Sequence, residues 1–180
     1  MYEKKKRSPF LDDKTGVFIK SMYQGREPLE HFAQQTFEFL STEHGFVVQP
    51  LEHSVWSSIL YYTKDLLAIE VSLAVRDNYA SVNLLKLQNG KIPPHGYFVN
   101  EERIRIPLLY VLREVLHVHD SNVDALYEYL SISQERDFVT SLQLSRAIVV
   151  PYLDDIFREP LDALFPQTLS PTYSSRSFNM

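Results

Sequence analysis

The sequence predicts an α+β domain in which an antiparallel sheet of about four strands packs against an N-terminal helix and several C-terminal helices. Apolar residues recur with a helical period near residue 30 and again beyond residue 107, whereas residues 46–87 alternate with a period of two. Turn signals separate the strand-like stretches, and no helix-length crossover joins them. This order favours antiparallel pairing and disfavours a doubly wound nucleotide-binding fold.

The first predicted element is a helix over about residues 27–43. Pro28 suits the first turn of a helix, and His44-Gly45 provides a stop. One stripe of a 3.6-residue period contains Leu29, Phe32, Ala33, Phe37 and Leu40. We expect this stripe to face the sheet.

Two strands are predicted after Gly45. Phe46-Val47-Val48 opens the stretch, and Pro50 limits this strand to an edge position or to a short piece. The next strand, Ser54 to Tyr62, is apolar on both faces. One of its faces therefore meets the helices, and the other meets a second layer or a partner.

The following two strands form a predicted hairpin. Leu67 to Val75 alternates apolar with small or polar residues, as expected of a strand with one face on a core. Asp77-Asn78 is predicted to form a two-residue turn into a returning strand, Tyr79 to Leu87, and Asn89-Gly90 forms the next turn. For Tyr97–Ile106 the pattern leaves an extended approach and an edge strand both open.

Helices are predicted over most of the remaining chain. A helix that starts at Pro107 and turns by 100° per residue has its apolar positions on one face. The opposite face then contains Tyr110, Arg113, Glu114 and His117. Ser121, three residues before Asp124, is typical of a capping box that starts the next helix. A last helix is predicted from about Gln134, with Pro151 kinking or splitting it.

The pattern divides the chain into an N-terminal arm, 1–23, a single domain, 24–165, and a flexible tail, 166–180, rich in Ser, Thr and Pro. The chain has a formal charge of -5 and no cysteine. These features disfavour a general nucleic-acid-binding surface and exclude disulfides, thiolate metal sites and cysteine nucleophiles. No stretch resembles a membrane span or a secretory signal, so we expect a cytoplasmic protein.

Sequence motifs for catalysis are weak. The sequence contains no P-loop, dinucleotide-binding fingerprint or serine-nucleophile motif, and no cofactor is predicted. Glu114, His117, His119 and Asp120 form the one constellation that suits a metal, since Glu-x-x-His and His-x-His supply metal ligands in other proteins. A metal-dependent hydrolase using His117 and His119 is therefore the alternative to a non-enzymatic protein. The face calculation points Glu114 and His117 at solvent.

An interaction role is the favoured prediction. Asp120, Asp124 and Glu128 are spaced four apart, which places their carboxylates on one helical face. The C-terminal helical third carries most of the negative charge, which suits a basic protein partner. Aromatic residues on the strand Ser54 to Tyr62, namely Trp56 and Tyr62, complete the predicted partner-binding surface. We expect no metal site and no catalytic residue.

Three segments resemble a set of small uncharacterised bacterial α+β proteins, some of them grouped with the immunity proteins of polymorphic toxin systems. They are the helix end Phe39–Phe46, the strand Leu67–Asp77, and Ile106-Pro107-Leu108-Leu109-Tyr110-Val111-Leu112-Arg113, which is similar to a short helix of that set. The resemblance spans about residues 27–165. It implies an α+β fold and an immunity-like interaction role, and it implies no catalytic residues.

Overall fold

A computed structural model describes residues 26–54, 57–74, 77–132 and 137–168. Its helices are α1 (Arg26–Phe37), α2 (Phe39–Thr42), α3 (Leu108–Tyr110), α4 (Ser121–Ile132), α5 (Phe138–Arg158) and α6 (Leu161–Leu164). A π-helical segment, Val111–Val115, continues α3. The strands are β1 (Val47–Val48), β2 (Glu52–His53), β3 (Ser57–Lys64), β4 (Leu67–Ala74), β5 (Tyr79–Lys86), β6 (Phe98–Val99), β7 (Glu102–Arg103) and β8 (Arg105–Pro107). The predicted arm, 1–23, and residues 169–180 of the predicted tail lie outside the described residues.

The predicted α+β class, with an antiparallel sheet packed against an N-terminal helix and C-terminal helices, is confirmed. The main sheet has six strands in the order β1-β3-β4-β5-β8, with β2 also paired to β3. The predicted first strand is the two-residue β1, and Pro50 separates it from β2, because proline cannot donate to a strand ladder. The segment Tyr97–Ile106, for which the sequence allowed either an extended approach or an edge strand, forms the small β6–β7 hairpin and leads into the edge strand β8.

The β4–β5 hairpin differs from the prediction. Ala74 pairs with Tyr79, so four residues, 75–78, connect the strands, and the two-residue turn at Asp77-Asn78 is wrong. Asn78 still adopts a left-handed backbone, with a φ of 55°. Because the register changes by two residues, every side chain keeps its predicted face. The turn at Asn89-Gly90 is confirmed, with φ values of 52° and 73° that fit a type I′ turn.

One face of the sheet carries the main core. Alternate residues of β3, β4 and β5 pack on α1 and α5, including Leu60, Ile69, Val71, Val82 and Leu84. Helix α5 continues through Pro151, so the proline does not split it. Asp137 caps α5 by accepting the Thr140 N–H at 2.8 Å. None of the helices within the described ranges has the length and apolarity to cross a membrane.

Two details between β8 and α4 also differ from the prediction. Tyr110, predicted on a polar face, is only 4% exposed. All of its neighbours from Leu108 to Leu112 are buried as well, so other elements cover this segment on every side, and the next turn is π-helical. The cap of α4 is Asp120, whose Oδ1 accepts the Asn122 N–H at 2.7 Å, while Ser121 is the first helical residue.

The opposite face of the sheet, called here the open face, has no helix on it among the described residues. A small apolar cluster covers part of this face, formed by Ile59, Tyr61, Ala68, Leu85 and Leu87, with Ile92 packed against it. The segment between β5 and β8 crosses this side of the sheet. Its Arg103 lies over the Phe98 ring at 4.5 Å and donates to the Pro166 carbonyl at 2.8 Å, which fixes the β6–β7 hairpin.

Candidate functional site

The histidine constellation does not assemble into a site. His117 and His119 are exposed, and His117 has a left-handed backbone with a φ of 50°. Asp120 is bonded to the start of α4 and to the Tyr152 hydroxyl at 2.9 Å. Across the described ranges, no three His, Asp or Glu side chains are grouped so that they could hold a metal ion. The metal-hydrolase alternative therefore gains no support from the geometry.

The acidic residues of the predicted stripe have different surroundings. Asp124 and Glu128 are exposed on α4, whereas Asp120 is committed to capping that helix. The Asn122 N–H, followed by the Tyr152 hydroxyl, stabilises the Asp120 carboxylate and lowers its pKa. The exposed acidic surface of α4 thus consists of Asp124 and Glu128, with Asp120 at its base.

The part of the chain that the structure describes gives no support to a surface contact at either of the two aromatic residues predicted to bind a partner, Trp56 and Tyr62. Trp56 lies outside the described residues. Tyr62 faces the helices and is only 1% exposed, and its ring centroid lies 6.4 Å from that of Phe37. Its aromatic ring is therefore a core side chain and offers no surface to a partner. Burial, with a smaller effect of Glu38, raises the pKa of Tyr62 to about 12.

Tyr62 nevertheless lies at the base of a surface groove. We name this depression the edge groove; it has a volume of about 390 Å³ and is lined by His31, Gln34, Gln35, Glu38, Ser41, Val48 and Tyr62. Helices α1 and α2 form one wall, and β1 forms the other. The Tyr62 hydroxyl has no hydrogen-bond partner within the described ranges. The polar groups that line the groove are thus a phenol, an imidazole, a hydroxyl, two amides and a carboxylate.

Strand β1 beside this groove is an open edge of the sheet. Its two side chains, Val47 and Val48, are 61% and 47% exposed. Gln49 donates its N–H to the Tyr61 carbonyl at 2.9 Å, so odd-numbered positions bond toward β3 and the Val48 N–H and C=O point away from it. No described residue bonds to these two groups of Val48. A strand edge of this kind is able to pair with another chain.

A second group of polar residues lies on the open face. Glu70, on the middle strand β4, is 4% exposed and pairs with Arg105 of β8, whose Nη2 lies 2.9 Å from Glu70 Oε2. Arg105 Nε donates to the same carboxylate oxygen at 3.1 Å, and Asn83 donates to Oε1 at 2.8 Å. The third nitrogen of the guanidinium, Nη1, donates to the Gly96 carbonyl. This network joins three strands to the crossing segment.

These residues form the base of a second depression, the open-face groove. Its volume is about 180 Å³. The base is formed by Glu70, Ser72, Ala74, Ser81 and Asn83 on β4 and β5, and the rim by His95, Gly96 and Tyr97. Burial is the main reason that the pKa of Tyr97 is raised, and Arg105 opposes the effect.

A third polar cluster resembles a catalytic arrangement without having its geometry. Glu30 of α1 accepts hydrogen bonds from Ser58 and from His53, the latter at 3.0 Å. A nucleophilic serine needs an adjacent base that accepts its proton and an accessible oxygen. Ser58 has 0% exposure and bonds to Glu30, not to His53. The cluster instead ties α1 to β2 and β3.

The sequence patterns did not single out Glu70, Arg105 or Asn83. A signal is present for Glu70, which is a charged residue in the middle of an apolar strand. Such a position indicates a buried, paired carboxylate. Arg105 has no comparable signal, because its partner lies 35 residues away and depends on the register of β5 and β8.

Comparisons of the chain with protein-family models, with curated proteins and with solved structures found no match. The resemblance to immunity proteins therefore remains a prediction.

Proposed function

We propose that the protein is a non-enzymatic binding protein that holds an extended segment of a protein partner along β1 and the edge groove. The observation that carries this proposal is the outward-facing backbone of Val48, which has no partner among the described residues and lies beside a polar groove. An extended peptide that adds to a sheet edge gains affinity from main-chain hydrogen bonds and specificity from alternate side chains.

The chemistry of the groove favours a basic residue in that segment. Successive side chains of an added strand point to opposite faces, so one enters the edge groove while its neighbours lie near the exposed Val47. Inside the groove, Glu38 supplies a carboxylate and Gln34 and Gln35 supply amide oxygens. A Lys or Arg side chain matches these acceptors. A basic partner also agrees with the acidic net charge of -5.

Selection from a library of random twelve-residue peptides on the full chain tests the proposal. We expect peptides with alternating apolar residues and a central Lys or Arg. Amide chemical shifts of residues 47–49 should change when a selected peptide binds. Val48→Pro removes the outward N–H and should weaken binding roughly tenfold, because a main-chain hydrogen bond to the peptide is lost while an edge strand still tolerates proline.

Matched variants separate the backbone from the side chain. Val48→Ala shortens the side chain but keeps the N–H, so it should retain most of the binding that Val48→Pro loses. Glu38→Gln should weaken peptides with Lys or Arg and leave uncharged ones unaffected. Peptides that shift residues far from β1, or that bind Val48→Pro as well as the original chain, would contradict the proposal.

The exposed acidic surface of α4 is a second candidate contact for the same basic partner. Helix α4 contains Asp124 and Glu128 and no Lys or Arg, so like-charged carboxylates are not neutralised within the helix. This surface would act by electrostatic steering and would change association rates more than dissociation rates. Reversal of both charges, Asp124→Lys with Glu128→Lys, should slow association of a selected basic peptide at low salt. An unchanged rate removes α4 from the interface.

A further inference from the structure

We propose that the open-face groove is a binding site for a small, uncharged, polyhydroxylated molecule such as a monosaccharide or a cyclic polyol. The groove lies on the face of the sheet opposite to Tyr62, so this site is separate from the proposed peptide-binding edge. Three properties of the groove support the assignment: its charge, its free hydrogen-bonding groups and its size.

The groove is electrically balanced. Glu70 and Arg105 are the carboxylate and the guanidinium that line it, and they pair with each other. Both carboxylate oxygens already accept hydrogen bonds, from Asn83 and from Arg105. His95 at the rim lies 3.8 Å from Glu52, which again joins opposite charges when the imidazole is protonated. A ligand with a net charge would therefore have no counterion in the groove.

Hydroxyl and amide groups without partners point to the ligand chemistry. Ser72 and Ser81 are directly opposite each other across β4 and β5, and neither hydroxyl has a hydrogen-bond partner within the described ranges. The same holds for the hydroxyl of Tyr97. Each of these groups both donates and accepts, as do the hydroxyls of a polyol. The groove and such a ligand are thus complementary group by group.

Asn83 adds an oriented acceptor. It is 8% exposed, and its amide nitrogen is held by Glu70 at 2.8 Å, which leaves its carbonyl oxygen without a partner among the described residues. Among the described residues this oxygen is not one of the fully enclosed polar atoms, so a ligand hydroxyl in the groove can donate to it. Because Glu70 is itself fixed by Arg105, the Asn83 amide is oriented before any ligand arrives.

The dimensions fit a small molecule. At about 30 Å³ per water molecule, the volume of about 180 Å³ corresponds to roughly six waters. Tyr79 and Tyr97 border the space, and their rings provide apolar surface for the carbon skeleton of a sugar. Arg105 also holds the Gly96 carbonyl, which keeps the rim against the sheet. The site is therefore largely preformed.

Titrations followed by amide chemical shifts test the assignment on the full chain. The probes are myo-inositol and D-glucose, with D-glucuronate and D-glucosamine as charged relatives of glucose. We expect the uncharged probes to shift Ser72, Ser81, Asn83 and Tyr97, and to bind at least tenfold more tightly than either charged relative. Ser72→Ala with Ser81→Ala should weaken binding roughly tenfold or more, because two hydrogen bonds are lost.

Ser41→Ala is the matched control, since it makes the same substitution in the edge groove and should leave sugar binding unchanged. Unaltered amide spectra away from the substituted strands will show that the double variant is folded. The assignment is overturned if neither uncharged probe shifts these residues at 50 mM, the highest concentration of the titration. It is also overturned if the double variant binds equally well, or if a charged relative binds more tightly.

Discussion

The buried ion pair of the open face allows a quantitative test. Glu70→Gln keeps the shape of the side chain but removes its charge, which leaves the Arg105 guanidinium enclosed without a counterion. The Glu70 and Arg105 side chains are only 5% and 7% exposed, so water reaches the charge too little to replace the lost partner in full. Removal of one member of such a pair costs about 3–5 kcal/mol. This is a large part of the roughly 5–15 kcal/mol by which domains are stable.

Arg105→Met and the double variant, Glu70→Gln with Arg105→Met, complete the cycle. The double variant removes the charge imbalance and should recover a large part of this loss. We expect a coupling energy of about 2 kcal/mol between the two positions. Urea unfolding followed by circular dichroism measures each free energy of unfolding, provided that the slope against urea stays constant.

Asp155→Asn is the control. It breaks the Arg158–Asp155 pair, whose side chains are 75% and 53% exposed, and should change stability by less than about 1 kcal/mol. A loss below about 1 kcal/mol in Glu70→Gln, or no coupling in the cycle, would refute the reasoning. Either result would mean that solvent in the open-face groove screens the pair.

Three further predictions concern single residues. Tyrosines of the unfolded chain ionise near pH 10, whereas the pKa of Tyr62 is raised to about 12 in the folded state. The stability that this group contributes is therefore complete below pH 10 and is lost as the pH rises toward 12. The melting temperature of Tyr62→Phe should fall less steeply with pH over this interval than that of the original chain, and equal slopes would contradict the burial effect. Asp137→Ala removes the acceptor of the Thr140 N–H and should lower the free energy of unfolding in urea by about 1 kcal/mol, while Asp137→Ser should lower it less. Equal losses would contradict the capping role of Asp137. The Cβ added by Gly90→Ala meets no atom within 4 Å, so the expected loss of stability, about 1 kcal/mol, would come from the backbone φ of 73°. Unchanged stability would show that this turn relaxes.

Local patterns were sufficient for the fold class. The 3.6-residue stripe of α1 and the alternation of β4 depend only on which face of an element is apolar, and both faces are as predicted. Pro50 likewise indicated an edge position, which β1 and β2 occupy. The register error at Asp77-Asn78 did not affect the faces, because the shift was two residues.

Local patterns failed where neighbouring elements decide which faces are covered. Tyr110 was assigned to a polar face by 100° spacing, but every residue from Leu108 to Leu112 is buried, so this segment has no exposed face at Tyr110. The aromatic contact predicted at Tyr62 has the same origin, since alternation shows that a strand has two faces and not which of them the helices cover. Burial of Tyr62 was decided by α1, through Phe37.

The sequence by itself therefore determined an acidic, cysteine-free α+β chain with an antiparallel sheet, because composition and period are local properties. Only the tertiary structure decided where its polar groups meet. Glu70, Asn83 and Arg105 come from three strands and converge through the pairing registers of β4, β5 and β8. The open edge at Val48 likewise exists because no described strand follows β1 in the sheet. Both candidate grooves arise from long-range pairing, which no local period encodes.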